Sequence, residues 1–477
     1  MSRPDHTAGT QTDLGQPELS AWSGLSHVPT GLRATVAAKA ADALFRRAAR
    51  NLDVRVEYPD GVLIGADPRT ADAGLDAPEH EILPRMIIRD PDAFARRVGA
   101  DGLIGFGESY MAGDWTSPDL AAVLTVFASR MATLIPPSLQ RLRSLYVRKH
   151  PTHERNTRQN TRANIARHYD LSNDLFESFL DETMSYSAAL FMPPNPHFNP
   201  VRGVAVRQAE LPNPAPTWDV LADAQRRKID LLLDQGGVGP GVRLLEIGTG
   251  WGELCIRAAQ RGAVVRSVTL SSEQQELARK RVAEAGYQDA VRIDLMDYRE
   301  VDGEYDAIVS VEMIEAVGHQ YWPTYFQVLD KLLAPGGRVA LQAITMPHDR
   351  MLQTVNTYTW VHKYIFPGGF LPSTESIERI AAEHTDLHVR ERLSIGLHYA
   401  ETLRLWESRF AASGSRVAAL GFDETFRRMW HFYLSYSEAG FRSGYLDVQQ
   451  ITLERPNLER PNLERPSRGN HSDSGRS

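Results

Sequence analysis

Cysteine is almost missing from this chain. Its 477 residues contain one, Cys255, which excludes an internal disulfide and withholds the thiolates of a cysteine-based zinc site. Long apolar runs are missing too: no stretch approaches the about 20 consecutive apolar residues that span a bilayer. Positive charge is not in excess. Lys and Arg number 53 against 60 Asp and Glu, a formal net charge of -7, so the molecule is not built to coat a nucleic acid, and no nucleic-acid partner is expected. The opening residues, "MSRPDHTAGTQTDLG", lack the apolar core of a secretory signal. With the single cysteine, this leads us to expect a cytoplasmic protein in a reducing compartment. What remains is 42% hydrophobic and 24% charged residues, the balance of a soluble globular enzyme, in a chain long enough for two domains.

Residues 1–30 are rich in Ser, Gly, Thr and Pro and read as disordered, as does the tail 453–477 with its "LERPN LERPN LERPS" repeat. Segment 32–52 has helical spacing, while "VRVEYPDG" (54–61) and "PRMIIRD" (84–90) read as strands, so 31–150 is expected to be a small mixed α+β domain. Between Arg141 and Arg167 eight basic residues face one acid, Glu154. That strip reads either as a solvated helix face or as a surface drawn to an anionic membrane, at ~1 kcal/mol per basic residue near the leaflet. Residues 193–217 are proline-dense and read as a surface excursion. The rest of 151–452 alternates. "VRLLEIG" (242–248), "AVVRSVTLS" (263–271), "VRIDLMD" (291–297), "YDAIVSVE" (305–312) and "GRVALQAIT" (337–345) are strands with helical segments between them. The fold expected is α/β and Rossmann-like, a mostly parallel sheet with helices on both faces, binding its ligand outside the carboxyl ends of the strands.

The first of these strands runs into "LLEIGTGWGELC" (244–255), where Gly248, Gly250 and Gly252 allow a sharp turn and close approach to a ligand. The spacing is E-x-G-x-G-x-G rather than G-x-G-x-x-G. No Lys-Ser/Thr pair follows to hold a triphosphate, and the second strand ends in "TLS" without the acid that grips a nicotinamide ribose. Glu246 is placed to meet a cationic amino-acid portion, and Asp297, in "MDYRE", to accept from an adenine amine. A cationic cofactor with an amino-acid tail and no phosphate fits: S-adenosylmethionine, in a class I methyltransferase. A nicotinamide enzyme is the weaker reading of the same loop.

Several stretches jointly resemble the cyclopropane-fatty-acyl-phospholipid synthase family, which includes the mycolic acid cyclopropane synthases. They are "GLIGFGESYMAGDW" (102–115), "IARHYDLSNDLFESFLDETMSYSAALF" (165–191), "LLEIGTGWGE", "VTLSSEQ" (268–274), "SVEMIEAVG" (310–318), "YIFPGGFLPS" (364–373), "HYAETLRLW" (398–406) and "AGFRSGYLDVQQITL" (439–453). Within the family, "EMIEAVG" and "LQAITM" resemble the branch of fatty-acid C-methyltransferases linked to tuberculostearic acid. The resemblance implies transfer of a one-carbon unit from S-adenosylmethionine to the double bond of an unsaturated acyl chain in a phospholipid, through a carbocation. It implies that Tyr169, Tyr186 and Ser187 line the cofactor entrance and that Gly248 and Gly250 lie under the methionine portion. Thr269, Leu270, Ser271 and Gln274 would sit beside the ribose, and Asp297 and Tyr298 near adenine. It also implies an N-terminal domain that docks on the inner face of the plasma membrane and supports a homodimer.

The apolar run Ile308 to Val311 ends in two acids, Glu312 and Glu315, an unusual content for a buried strand end. Many members of the resembled family hold a bicarbonate ion as the base. Its cage, carried over, comprises the Ala188 backbone, the strand end from Val311 to Glu315, Gln342, Ile344 and Tyr399, with Glu315 receiving the bicarbonate hydroxyl proton. Ala188 stands where the family usually has cysteine, Gln342 where it has histidine, and Glu312 where other branches carry glycine; Glu312 is expected to be a capped or paired structural acid. Losing a proton from the added methyl closes a cyclopropane ring. Losing one after a hydride shift has moved the cation to the methyl-bearing carbon gives a methylene branch, which a partner reductase would convert to methyl; the branch resemblance favours the methylene outcome. Two other classes compete: a small-molecule methyltransferase that touches no lipid, and a lipid-binding protein with a decayed site.

Overall fold

The computed structural model describes residue 25 and residues 27–65, 83–130, 171–194, 199–201 and 203–455. The expectations placed on 1–24, on the basic strip 141–167 and on the tail from 456 lie outside those residues.

The N-terminal part opens with the expected helix, Leu32–Ala49. Strands β1 (Arg55–Glu57), β2 (Leu63–Gly65), β3 (Arg85–Ile88) and β4 (Trp115–Thr116) form a sheet in the order β2-β1-β3-β4. Helix Pro91–Asp101 starts where Asp90 accepts from the Ala93 amide at 3.0 Å with Pro91 in the first turn, a stop-and-start signal written in the sequence. Helices Leu103–Ala112 and Leu120–Ser129 follow.

The large sheet contains β5 (Asn199–Val201), β6 (Val204–Gln208), β7 (Arg243–Ile247), β8 (Val264–Thr269), β9 (Val291–Leu295), β10 (Tyr305–Val311), β11 (Leu333–Thr345), β12 (His388–Ser394) and β13 (Asp447–Glu454). Its order is β5-β6-β12-β13-β11-β10-β7-β8-β9. The strands from β11 to β9 run parallel, and β13 is inserted antiparallel between β11 and β12. The five strands read from the sequence are all present. Their apolar runs are buried on both faces, one against Leu245, Ile308 and Phe326 and the other against Leu244, Val309 and Leu254. The proline-dense excursion does more than link: part of it forms the β5–β6 hairpin, and Pro200, which has no amide to donate, sits on the outer edge strand where none is needed.

Strand β10 stops at Val311, whose register partner is Gln342 on β11, and Gln342 in turn pairs with Gln450 on β13. This register delivers the two acids of the strand end to a polar spot inside the sheet's carboxyl edge.

The two sheets share packing. Helix Glu424–Arg442 lies across Leu103–Ala112 and Leu120–Ser129. Arg428 donates to the Tyr110 carbonyl at 2.7 Å and the Trp115 carbonyl at 3.1 Å while its guanidinium covers the Tyr110 ring at 4.4 Å. Glu108, buried, accepts from Lys363 and from the Tyr364 hydroxyl. One apolar cluster runs from Val54 and Met86 through Trp115 to Trp406 and Trp430. Gly107 is the tightest point of this seam: a Cβ there would stand 2.5 Å from the Trp360 ring. Gly107→Val is therefore expected to lower stability by ~1–3 kcal/mol through overpacking, read as an earlier midpoint in urea; an unchanged midpoint would show that the seam is loose.

Candidate active site

The glycine loop leaves β7 with three glycines doing different work. Gly248 lies against Met313, where a Cβ would come within 2.7 Å of Met313 Cγ, so the loop touches the segment between the two acids. Gly250 has φ +53° and a Cβ there would meet nothing within 4 Å among the described residues, which leaves a cradle open for a ligand. Gly252 backs onto Ala278 of helix Ser272–Glu284, at 3.2 Å from a built Cβ. Trp251 ties the loop to the neighbouring segment by donating to Asn173 Oδ1 at 2.7 Å, and Arg281 donates to the Trp251 and Thr183 carbonyls at 2.8 and 3.0 Å.

At the β8 end, Thr269 Oγ1 donates to Gln274 Oε1 at 3.0 Å and accepts from the Ser271 amide at 3.2 Å, and Ser271 caps the following helix through the Gln274 amide. Leu270 is half-buried between them. These four assigned ribose neighbours thus form one hydrogen-bonded turn beside the cradle. Other assignments are altered by their surroundings. Glu246 Oε2 accepts from Cys255 at 2.7 Å and from Ser267 at 2.6 Å, and burial pushes its carboxyl up to about 7, so it braces the loop from beneath. Asp297 gives both oxygens to Arg299. Tyr298 is not at the surface of an adenine slot. It is buried in the core, 5.4 Å edge-on to Tyr325, because the short 3-10 turn Tyr298–Glu300 points it under the sheet. Tyr169 lies outside the described residues.

The segment before the large sheet is held by its amides: Ala188 N donates to Glu312 Oε1 at 3.0 Å, Ala189 N to Thr402 Oγ1 at 3.1 Å and Phe191 N to His398 Nδ1 at 3.0 Å. Tyr186 stacks on Trp406 at 5.3 Å and its hydroxyl donates to the Tyr433 hydroxyl at 2.9 Å. Tyr399 meets Trp406 edge-on at 6.0 Å and Phe441 at 4.8 Å. These rings, Tyr186 from the segment before the large sheet and the others from helices Gly396–Ala412 and Glu424–Arg442, make an aromatic wall next to the acids. Ser187 Oγ accepts from Lys228 at 2.5 Å; Lys228 is fully buried, and desolvation lowers its ammonium to about 8 against the pull of Glu312 and three other acids.

The expected anion cage is assembled but occupied. Glu312 Oε1 accepts from Ala188 N and, at 2.8 Å, from Gln342 Nε2; Oε2 accepts from the Tyr399 hydroxyl at 3.1 Å. Gln342 is fixed in that orientation because its own Oε1 accepts from Gln450 at 3.0 Å. Glu312 is paired, as expected of a structural acid, yet its partners are the groups assigned to bicarbonate. The donors present do not fit a second anion, so the cage assignment is corrected, and with it the role of Glu315 toward that ion. Glu315 Oε1 accepts from the Ile344 amide and its buried Oε2 has no partner among the described residues. Burial and the nearby Glu312 push it up to about 8. Burial also raises Glu312, but Ala188, Gln342, Lys228 and Tyr399 oppose the rise. At neutral pH Glu315 is therefore a neutral acid, while the donors around Glu312 and the Lys228 ammonium favour its ionised form.

Lys228, Gln450, Met313, Trp406 and Tyr433 escaped the sequence reading. Lys228 had a detectable signal, since it stands on the stripe Leu221, Ala224, Gln225, Ile229, Leu232 that the helix buries.

Two tests follow from this geometry. Gly250→Val, a β-branched residue in a left-handed position costing ~1–2 kcal/mol, is expected to weaken S-adenosylmethionine binding about tenfold in calorimetry with unchanged circular dichroism; equal affinity would remove the cradle. Folded Glu315 holds a proton up to about 8, whereas an unfolded glutamate releases it near ~4.3. Across that window the folded state binds the extra proton, so stability falls as pH rises. Glu315→Gln should flatten the fall seen in urea titrations between those limits, with a residual slope from Glu246. An unaltered slope would place the buried proton elsewhere.

The chain is similar to known proteins over most of its length. Residues 156–451 match the family described as mycolic acid cyclopropane synthetase. Tuberculostearic acid methyltransferase UfaA1 of Mycobacterium tuberculosis is 54% identical over 447 residues, 94% of this chain and 98% of its own. Cyclopropane-fatty-acyl-phospholipid synthase of Escherichia coli is 32% identical over 376 residues, 77% of this chain and 87% of its own. Among solved structures, mycolic acid cyclopropane synthase CmaA1 complexed with SAH and CTAB superimposes with a TM-score of 0.51 at 30% identity, covering 64% of this chain and 98% of that one.

Proposed function

Because the chain belongs to the mycolic acid cyclopropane synthetase family, we propose that it adds a one-carbon unit from S-adenosylmethionine to the double bond of an unsaturated fatty acyl chain in a phospholipid, giving a methylene branch. It is an S-adenosylmethionine-dependent methyltransferase of unsaturated lipid chains. The observation that carries the reading is the contact between Gly248 and Met313, which sets the open cradle at Gly250 beside the Glu312–Glu315 pair and the aromatic wall.

S-adenosylmethionine supplies an electrophilic methyl group. The chain's own residues must orient it, keep water out and receive a proton. Gly250 and the Thr269–Gln274 turn line its berth, with Glu246 bracing the loop. A cation on the acyl chain needs surroundings that neither trap it nor repel it. The faces of Tyr186, Tyr399 and Trp406 provide negative quadrupole without a nucleophile, and burial excludes water.

Attachment to an anionic leaflet is part of the proposal. It is supported by the basic strip in the sequence and by the exposed Leu32 and Val36 on the first helix. Among the described residues no helix is long and apolar enough to cross a membrane. A reductase that saturates the methylene would complete a methyl branch.

Mass spectrometry of phospholipids from a host expressing the chain is expected to show acyl chains one methylene heavier that keep an unsaturation. Exclusive cyclopropane product would overturn the branch assignment. Failure to bind anionic vesicles at low salt, with methylation of a soluble acceptor instead, would overturn the lipid reading.

A further inference from the structure

We infer that this chain carries its base covalently: the Glu312 carboxylate fills the place of a bound anion and takes the proton that ends the reaction, so no bicarbonate is needed. The inference rests on the reaction proposed above. Three donors converge on one carboxylate, the Ala188 amide at 3.0 Å, the Gln342 amide at 2.8 Å and the Tyr399 hydroxyl at 3.1 Å. They come from three separate parts of the fold: the segment before the large sheet, β11, and helix Gly396–Ala412.

The backbone points the same way. Glu312 has φ +50°, a left-handed conformation that a long side chain seldom adopts. Its amide donates to the Gln342 carbonyl at 2.7 Å, which pins the residue there. Strain of this kind, in a buried acid at the end of a central strand, is what a functional constraint leaves behind. A structural acid has easier positions. Glycine is at ease at the same angle, and glycine there would vacate the cage and free its three donors for an outside anion.

The remaining charges agree. Lys228, buried behind Ser187, attracts Glu312 and favours its ionised form. Glu315 stays neutral beside it, so a carboxylate and a carboxylic acid share the spot in place of two anions. Introducing bicarbonate would crowd a second negative charge against Glu312, with Ala188, Gln342 and Tyr399 already donating.

The step balances without a co-reactant. Methyl transfer leaves one positive charge on the acyl chain. A hydride shift moves the cation to the methyl-bearing carbon, a C–H bond of the added methyl then breaks, and its electron pair becomes the π bond of the methylene branch. The proton passes to Glu312, which becomes a neutral carboxylic acid and later loses the proton to solvent. Cation and carboxylate are consumed together.

The experiment uses the full chain on unsaturated phospholipid vesicles in buffer stripped of carbon dioxide and in buffer with added bicarbonate, alongside carbon-13 NMR of labelled bicarbonate with the protein and calorimetry of S-adenosylmethionine. Wild type is expected to turn over equally in both buffers and to leave the bicarbonate signal unperturbed. Glu312→Gln should lose ~100-fold or more in kcat, the usual weight of a general base, while keeping cofactor affinity. Glu312→Gly should be inactive in stripped buffer, recover with bicarbonate and broaden its NMR signal. Wild-type dependence on bicarbonate, specific bicarbonate binding by wild type, or full turnover by Glu312→Gln would each overturn the inference. Should wild type make no lipid product at all, the functional reading fails; the NMR comparison still decides whether Glu312 occupies the cage.

Discussion

A carboxylate that has left water must find its hydrogen bonds elsewhere, and the fold around Glu312 is arranged to meet that demand. Its oxygens accept from Ala188, Gln342 and Tyr399, which lie far apart in sequence. Each partner is itself fixed. Ala188 sits in a segment whose next amides go to Thr402 and to Ala224, and Gln342 is held by Gln450 across the β11–β13 register. An isolated buried anion would take up a proton instead of persisting. The convergence of three donors and the nearby Lys228 ammonium oppose that uptake at Glu312.

The same spot constrains the cofactor side. Gly248 approaches Met313 so closely that any side chain would push the loop off the strand end. The loop that opens a cradle at Gly250 therefore lies against the segment that carries the acid pair. The aromatic helices Gly396–Ala412 and Glu424–Arg442 close the other side, and the second of them also packs on the N-terminal helices. The N-terminal part is thus joined to the wall of the reaction chamber through a shared apolar cluster, Glu108 and Arg428.

How much was legible in the sequence differs by element. Strands β7 to β11 announced themselves as apolar runs between helical segments, because a parallel strand is buried on both faces. Strands β12 and β13 did not: "HVRERLS" is charged, and β13 buries Gln449, Gln450 and Thr452, so neither shows an apolar run. The glycine spacing revealed the kind of cofactor, and Thr269, Ser271 and Gln274 form a hydrogen-bonded turn at the end of β8. Tyr298 went astray because a tyrosine beside a binding strand looks the same in sequence whether its ring faces a ligand or the core.

By itself, then, the order of residues determined the α/β alternation, the glycine loop and the presence of two acids at the end of an apolar strand, all consequences of local spacing. Tertiary structure alone decided that Glu315 holds a proton and what surrounds Glu312. Charge state depends on desolvation and on donors brought from positions 188, 342 and 399, and no local pattern encodes that meeting. Only with Gln342, Tyr399 and Ala188 folded onto Glu312 does a cage read as a home for an outside anion become the socket of a residue already in the chain.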